Sequence, residues 1–198
     1  MALLAETLID EWLNRQGFFT VRGIKHDTSG KNAGVGEIDL LGVRPSRHSD
    51  RLDAWHLEAQ VSFRPVGYIT PWTAHLMEDL KVKRNSAKQR TDQQRQECVQ
   101  EWVEKKFLTK AKNNARERAW EGQSWKFVFV HGVAKDQREI HEIGKRGIEV
   151  IPFAKVLKEL CDLEKPGLTG AAGTDIAELI RFFHEEAEPM AVDQTYLF

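Results

Sequence analysis

The stretch Gly36-Glu37-Ile38-Asp39-Leu40-Leu41-Gly42-Val43, followed after a polar interval by Trp55-His56-Leu57-Glu58-Ala59-Gln60-Val61-Ser62-Phe63, decides how this chain folds. Apolar, β-branched and aromatic residues run through both segments, and Gly, Pro, Ser and Asp bound them, so both read as strands. Successive strand residues point to opposite faces, so Asp39 shares a face with Leu41, and Glu58 shares one with Gln60. If the two pair antiparallel with Asp39 opposite Glu58, then Val43 falls opposite Ala54 and Arg44 opposite Asp53, with residues 45–52 as the connection. Two carboxylates then meet on one face.

Carboxylates placed directly opposite one another repel, and neither strand needs them for packing. A divalent cation would relieve the repulsion, and hard oxygen ligands suit Mg²⁺ or Mn²⁺. On strand pattern alone the favoured reading is two solvated residues on the wet face of a hairpin.

The 198 residues suffice for one domain with a substantial core. No apolar run approaches a membrane span, and Glu6, Asp10 and Glu11 interrupt the N-terminus where a signal peptide needs an uncharged core, so the expected location is cytoplasmic. Cys98 and Cys161 are the only cysteines and lack CxxC spacing, which points away from a disulfide framework or a cysteine-rich zinc site. The net charge of −1 conceals an asymmetry: residues 81–118 hold twelve Lys or Arg against five Asp or Glu, whereas residues 156–198 hold three against nine. An anionic polymer responds to that local field rather than to the mean.

Outward from the two strands, residues 2–16 form an amphipathic helix, with Leu4, Leu8 and Trp12 at helical spacing and Ala5, Ile9 and Leu13 widening the stripe. Gly17 ends it, and Glu6 sits where the helix dipole favours an acid. A first strand follows over residues 18–24 and a polar loop over 26–34. After the second carboxylate strand, Arg64-Pro65-Val66-Gly67 breaks the pattern, and a short helix is expected over 71–80. The basic run Lys81-Val-Lys-Arg-Asn-Ser-Ala-Lys-Gln-Arg90 precedes a single long helix from Thr91, whose capping box is completed by Gln94, to about Trp120. Val99, Trp102, Val103, Phe107 and Ala111 mark its apolar side, and Lys105, Lys106, Lys110, Lys112 and Arg116 the other, as a solvated face or an anion-binding one. Residues 125–131 read as a central strand, 135–145 as a helix and 148–151 as a short strand. Pro152 then opens a further helix, residues 165–173 resemble a linker, and a last helix begins after Thr174.

The resulting order is α-β-β-β-α-β-α-β-α, an α/β fold with a mixed sheet flanked by helices and a basic helical region after the third strand. That order, with an acid in the first helix, Gly36-Glu-Ile-Asp-Leu-Leu on the second strand and Glu58-x-Gln60 on the third, resembles the PD-(D/E)xK nuclease superfamily. Its Holliday-junction-resolvase-like and restriction-endonuclease-like members are the most similar. Residues 1–163 would form the nuclease-like domain, including the basic region 81–120, and 164–198 a linker, helix and tail packed on it.

The resemblance implies Mg²⁺-dependent hydrolysis of DNA phosphodiester bonds, with Mn²⁺ as a substitute. Asp39 and Glu58 would hold the ion, joined by the backbone carbonyl of Ala59, and Glu6 would hold a second metal or its water. Gln60 stands where the family usually has Lys. A glutamine orients water by hydrogen bonds but supplies no charge, and Lys31 or Lys83 could substitute. Lys81, Lys83, Arg84, Lys88 and Arg90 would neutralise phosphates beside the site. His56, on the face of Glu58, could touch substrate. A homodimer is an expectation from relatives that cut both strands, and the alternative function is a DNA-binding or interaction protein that has lost catalysis, with Gln60 as its signature.

Overall fold

The computed structural model describes residues 2–28, 34–46, 51–62 and 64–161 of the chain. Five strands form one mixed sheet in sequential order: β1 (Phe19–Thr28), β2 (Gly34–Pro45), β3 (Leu52–Gln60), β4 (Trp125–His131) and β5 (Glu149–Pro152). The first three pair antiparallel, while β4 joins β3 and β5 joins β4 in parallel. The helices are α1 (Ala2–Arg15), α2 (Ala74–Leu80), α3 (Asp92–Val103), α4 (Lys110–Ala119), α5 (Gln137–Lys145) and α6 (Phe153–Cys161).

Alternation along the strands sends two different sets of side chains to two helical layers. Leu40, Leu57, Val128 and Val130 meet Ala5, Leu8, Ile9, Trp12 and Leu13 of α1, together with Val156 and Leu160 of α6. On the other face Phe129 packs under Val99, Trp102 and Val103 of α3 and Ile143 of α5, and Leu41 packs against Ala115 of α4. Burial on both faces explains why β4, buried from Val128 to His131, reads as nearly continuous apolar sequence.

The antiparallel register matches the sequence expectation, with Val43 opposite Ala54 and Arg44 opposite Asp53. Pro45 and Leu52 form the last pair of that ladder, so the connection is shorter than 45–52. The first strand runs to Thr28 rather than ending near Ile24, because Lys25, His26 and Asp27 keep pairing with β2. Gly17, at φ +84°, ends α1 in the left-handed conformation that favours glycine. Leu4, expected on the buried stripe, is exposed.

The expected single helix over 91–120 is three pieces. It begins with the Thr91–Gln94 capping box, as its sequence indicates. A π-helical turn then spans Glu104–Leu108, and Thr109 restarts the chain as the N-cap of α4, its side chain accepting from the Lys112 N–H. Pro152 closes β5 instead of opening the last described helix. The linker over 165–173, the helix after Thr174 and the tail lie outside the described residues. Among the described residues no helix is long and apolar enough to cross a membrane.

Candidate functional site

The sheet forks where the two acids stand. The β2–β3 ladder ends at the pair Leu40 and Leu57, one residue short of Asp39 and Glu58. Beyond that point β2 stays with β1 as far as Gly34, and β3 stays with β4 as far as Gln60. At the fork a side chain replaces the backbone acceptor: the N–H of Ala59 donates to Asp39 Oδ2 at 2.7 Å. The N–H and C=O of one strand residue face the same edge, so the Ala59 carbonyl also faces the Asp39 side. The next carbonyl, that of Gln60, turns the other way and accepts from the Gly132 N–H at 3.1 Å.

Glu58 is 1% exposed and accepts from three side chains. His56 Nε2 donates to Oε1 at 3.0 Å, the ammonium of Lys112 on α4 meets the same oxygen, and Lys106 on the π-helical turn reaches Oε2 at 3.1 Å. The imidazole tautomer follows from its other nitrogen. Arg116 Nη1 lies 2.9 Å from His56 Nδ1, and because a guanidinium only donates, Nδ1 accepts and Nε2 carries the proton. Arg116 is anchored in turn on the Phe107 carbonyl and on Asn113.

These partners set the protonation states. Burial pushes the Glu58 carboxyl up, but the His56 hydrogen bond and the charges of Lys106 and Lys112 outweigh it and hold the group at about 2. Burial drives His56 down to about 4, against the pull of Glu58, so it is neutral near pH 7. Asp39 moves the opposite way: burial, then the negative charge of Glu58, raise it to about 6, against the Ala59 N–H and the charge of Lys106. Glu6, half-buried on α1, adds a further negative influence on Asp39. Burial lowers the Lys112 ammonium, opposed by Glu58.

Other sequence candidates fall in different places. Gln60 is exposed and donates from Nε2 to the Ile69 carbonyl at 3.2 Å. Lys81, Lys83, Arg84 and Lys88 are exposed. Arg90 turns inward: it is 3% exposed, sits over the rings of Tyr68 and Trp72, and pairs with Glu139 at 3.3 Å. His56 is completely buried, so it orients Glu58 rather than facing substrate. Lys31 lies outside the described residues.

Lys112 and Arg116, assigned from sequence to a charged outer face, are instead buried. The available signal was their spacing with Ala115 and Ala119, which puts two cations on the inward stripe of α4.

A groove of about 820 Å³ opens beside the fork and is lined in part by Gln60, Lys106 and Lys112. Among the described residues no group of three or more His, Cys, Asp or Glu side chains is placed to hold a metal ion. The oxygen donors at the fork are two carboxylates and one carbonyl. That set fits Mg²⁺, which commonly rests on one or two carboxylates and completes its shell with water and phosphate oxygens.

No protein-family model matches the chain, and no curated protein matches it. Among solved structures, a crystal structure of a protein of unknown function, AF1548, is similar over 78% of this chain at 11% identity, with a TM-score of 0.38. The match spans 59% of that protein's length.

Proposed function

We propose that this chain is a Mg²⁺-dependent nuclease of the PD-(D/E)xK kind, built on a restriction-endonuclease-like core and hydrolysing DNA phosphodiester bonds. The observation that carries the reading is the fork itself: β2 and β3 part at Asp39 and Glu58, with the backbone of Ala59 between them. Asp39, Glu58 and the Ala59 carbonyl are the residues to hold the ion, with Glu6 behind them. Bound there, Mg²⁺ would polarise the phosphoryl oxygen, acidify water and steady the leaving oxygen.

The chain's own residues divide the remaining work. Lys112, buried, keeps Glu58 ionised. Lys106 is a third exposed and sits on a π-helical turn, so it is the donor able to leave Glu58 Oε2 and turn to a phosphate in the groove. Together these lysines supply the positive charge that Gln60 lacks, leaving Gln60 to orient water. Lys81, Lys83, Arg84 and Lys88 neutralise neighbouring phosphates.

A second reading, a DNA-binding protein without catalysis, is favoured by one observation: both oxygens of Glu58 are already taken by lysines. Cleavage of labelled single-stranded, duplex and branched DNA in Mg²⁺, Mn²⁺ or EDTA, run beside Asp39→Ala, separates the two. Products that need metal and vanish in the variant support the nuclease. Salt-sensitive binding without products in either metal supports the binding protein.

A further inference from the structure

Resting on the nuclease reading for the identity of the ion, we infer that Lys106 is a latch on the metal site. Its ammonium occupies the Glu58 oxygen that Mg²⁺ needs, and a phosphate in the groove draws it away, so ion and DNA bind cooperatively. The two oxygens of Glu58 are held differently. Oε1 is fixed on the buried side by His56 Nε2 at 3.0 Å and by Lys112, whose side chain is 7% exposed. Oε2 accepts from Lys106 Nζ at 3.1 Å, and that side chain is 34% exposed and lines the groove. A divalent cation on Oε2 would stand beside this ammonium, and like charges so close repel strongly at a site shielded from water. One has to leave for the other to bind.

The arrangement of the neighbours makes Lys106 the one that moves. Lys112 belongs to the regular helix α4, whereas Lys106 rises from the π-helical turn Glu104–Leu108, a form of helix frequent at functional sites. The two ammoniums also repel one another across a single carboxylate, which favours departure of the more exposed one. The acids that line the groove, Glu37 and Glu101, already carry Lys25 and Lys105. The anion that takes Lys106 from Glu58 is therefore a phosphate of the ligand. Without it, an ion must displace Lys106 with no new partner for the ammonium. With it, the ammonium is compensated and Oε2 is released, and by linkage each ligand tightens the other by the same factor.

The test is Mn²⁺ titration of the full chain, followed by electron paramagnetic resonance, in wild type, Lys106→Met, Lys105→Met and Asp39→Ala. Without DNA, Lys106→Met should bind Mn²⁺ about tenfold more tightly than wild type, within the usual range of coupling between two ligands. Lys105→Met removes the same charge from an exposed neighbour and should leave the affinity close to that of wild type. A short duplex, with a DNA-only blank, should tighten Mn²⁺ about tenfold in wild type and clearly less in Lys106→Met. In wild type, Mg²⁺ should raise the acetylation of Lys106 by an amine-reactive reagent, read by mass spectrometry, and leave Lys112 protected. Unchanged or weaker Mn²⁺ binding in Lys106→Met, an equal gain in Lys105→Met, or equal DNA coupling in wild type and Lys106→Met overturns the latch and leaves the nuclease reading intact. Mn²⁺ binding undiminished by Asp39→Ala, or absent from every protein even with DNA, overturns the metal site and both readings with it. The expected Mn²⁺ behaviour without cleavage of any DNA supports the latch and overturns the nuclease.

Discussion

Lys112 places its ammonium on Glu58 Oε1 across 54 positions of sequence, inside the layer between α4 and the sheet where both groups are almost completely buried. Two buried charges repay their desolvation only when geometry and further hydrogen bonds are good, and removing one partner exposes the full cost of the other. Lys112→Met should therefore lower stability by about 3 kcal/mol in urea unfolding. Glu58→Gln should also destabilise, because it leaves the ammonium unpaired. The double variant should lose at least about 1 kcal/mol less than the sum of the single losses. Strict additivity would show that the pair is not coupled.

Asp39 and His56 give the fold opposing responses to acid. His56 is held at about 4, below its ordinary 6.5, so the unfolded chain binds the extra proton and stability falls as pH drops through that interval. Asp39 is raised from 3.8 to about 6, so the folded chain binds the extra proton and stability rises as pH drops from about 6 towards 4. Each contributes about 1.4 kcal/mol per pH unit, and the two nearly cancel between pH 4 and 6. Glu58 acts lower: its depressed carboxyl contributes stability that is lost from about 4.5 down to about 2.

Asp39→Asn keeps an acceptor for the Ala59 N–H but removes the rising contribution. Thermal melts of wild type should be nearly flat from pH 6 to 4, and those of the variant should fall steadily over the same range. At pH 7 the variant should be up to about 3 kcal/mol more stable and should not cut DNA. Parallel pH profiles for the two proteins would contradict the raised carboxyl.

Arg90 belongs to the basic run by sequence and to the interior by structure. Its guanidinium donates to the Thr70 hydroxyl and carbonyl and to Glu139, whose carboxylate also takes the N–H groups of Ile69 and Thr70. Arg90→Ala should cost about 3 kcal/mol of stability and leave the salt dependence of DNA binding by the folded protein unchanged. Paired reversal of Lys83 and Arg84 to Glu should do the opposite, sparing the melt and weakening DNA affinity. Anisotropy titrations at several salt concentrations, beside urea melts, distinguish the two effects.

The strands were readable because a two-residue period in Gly36 to Val43 and in Trp55 to Gln60 fixes which side chains are buried, and with it the register Val43 to Ala54. The acids stood out because that register, continued, sets Asp39 opposite Glu58, where two carboxylates repel. Lys106, Lys112 and Arg116 were not readable as partners of that site. They reach it from 48, 54 and 60 positions away, and charge in a sequence reports no direction. The break at Thr109 was hidden because no Gly or Pro marks it; a hydroxyl capping the Lys112 N–H makes the restart.

Gln60 tests whether those distant lysines fill the vacant role. If Lys106 and Lys112 already supply the positive charge, Gln60→Lys should change metal-dependent kcat/KM by less than about tenfold, well short of the 10²–10⁴ typical of restoring a missing acid–base group. Lys106→Ala should lower kcat by about a hundredfold with little change in the melt, because its side chain is a third exposed. Adding Gln60→Lys to Lys106→Ala should recover much of that loss, since both positions line the same groove. A large gain from Gln60→Lys alone would mean that the lysines from the helical region only hold Glu58 in place.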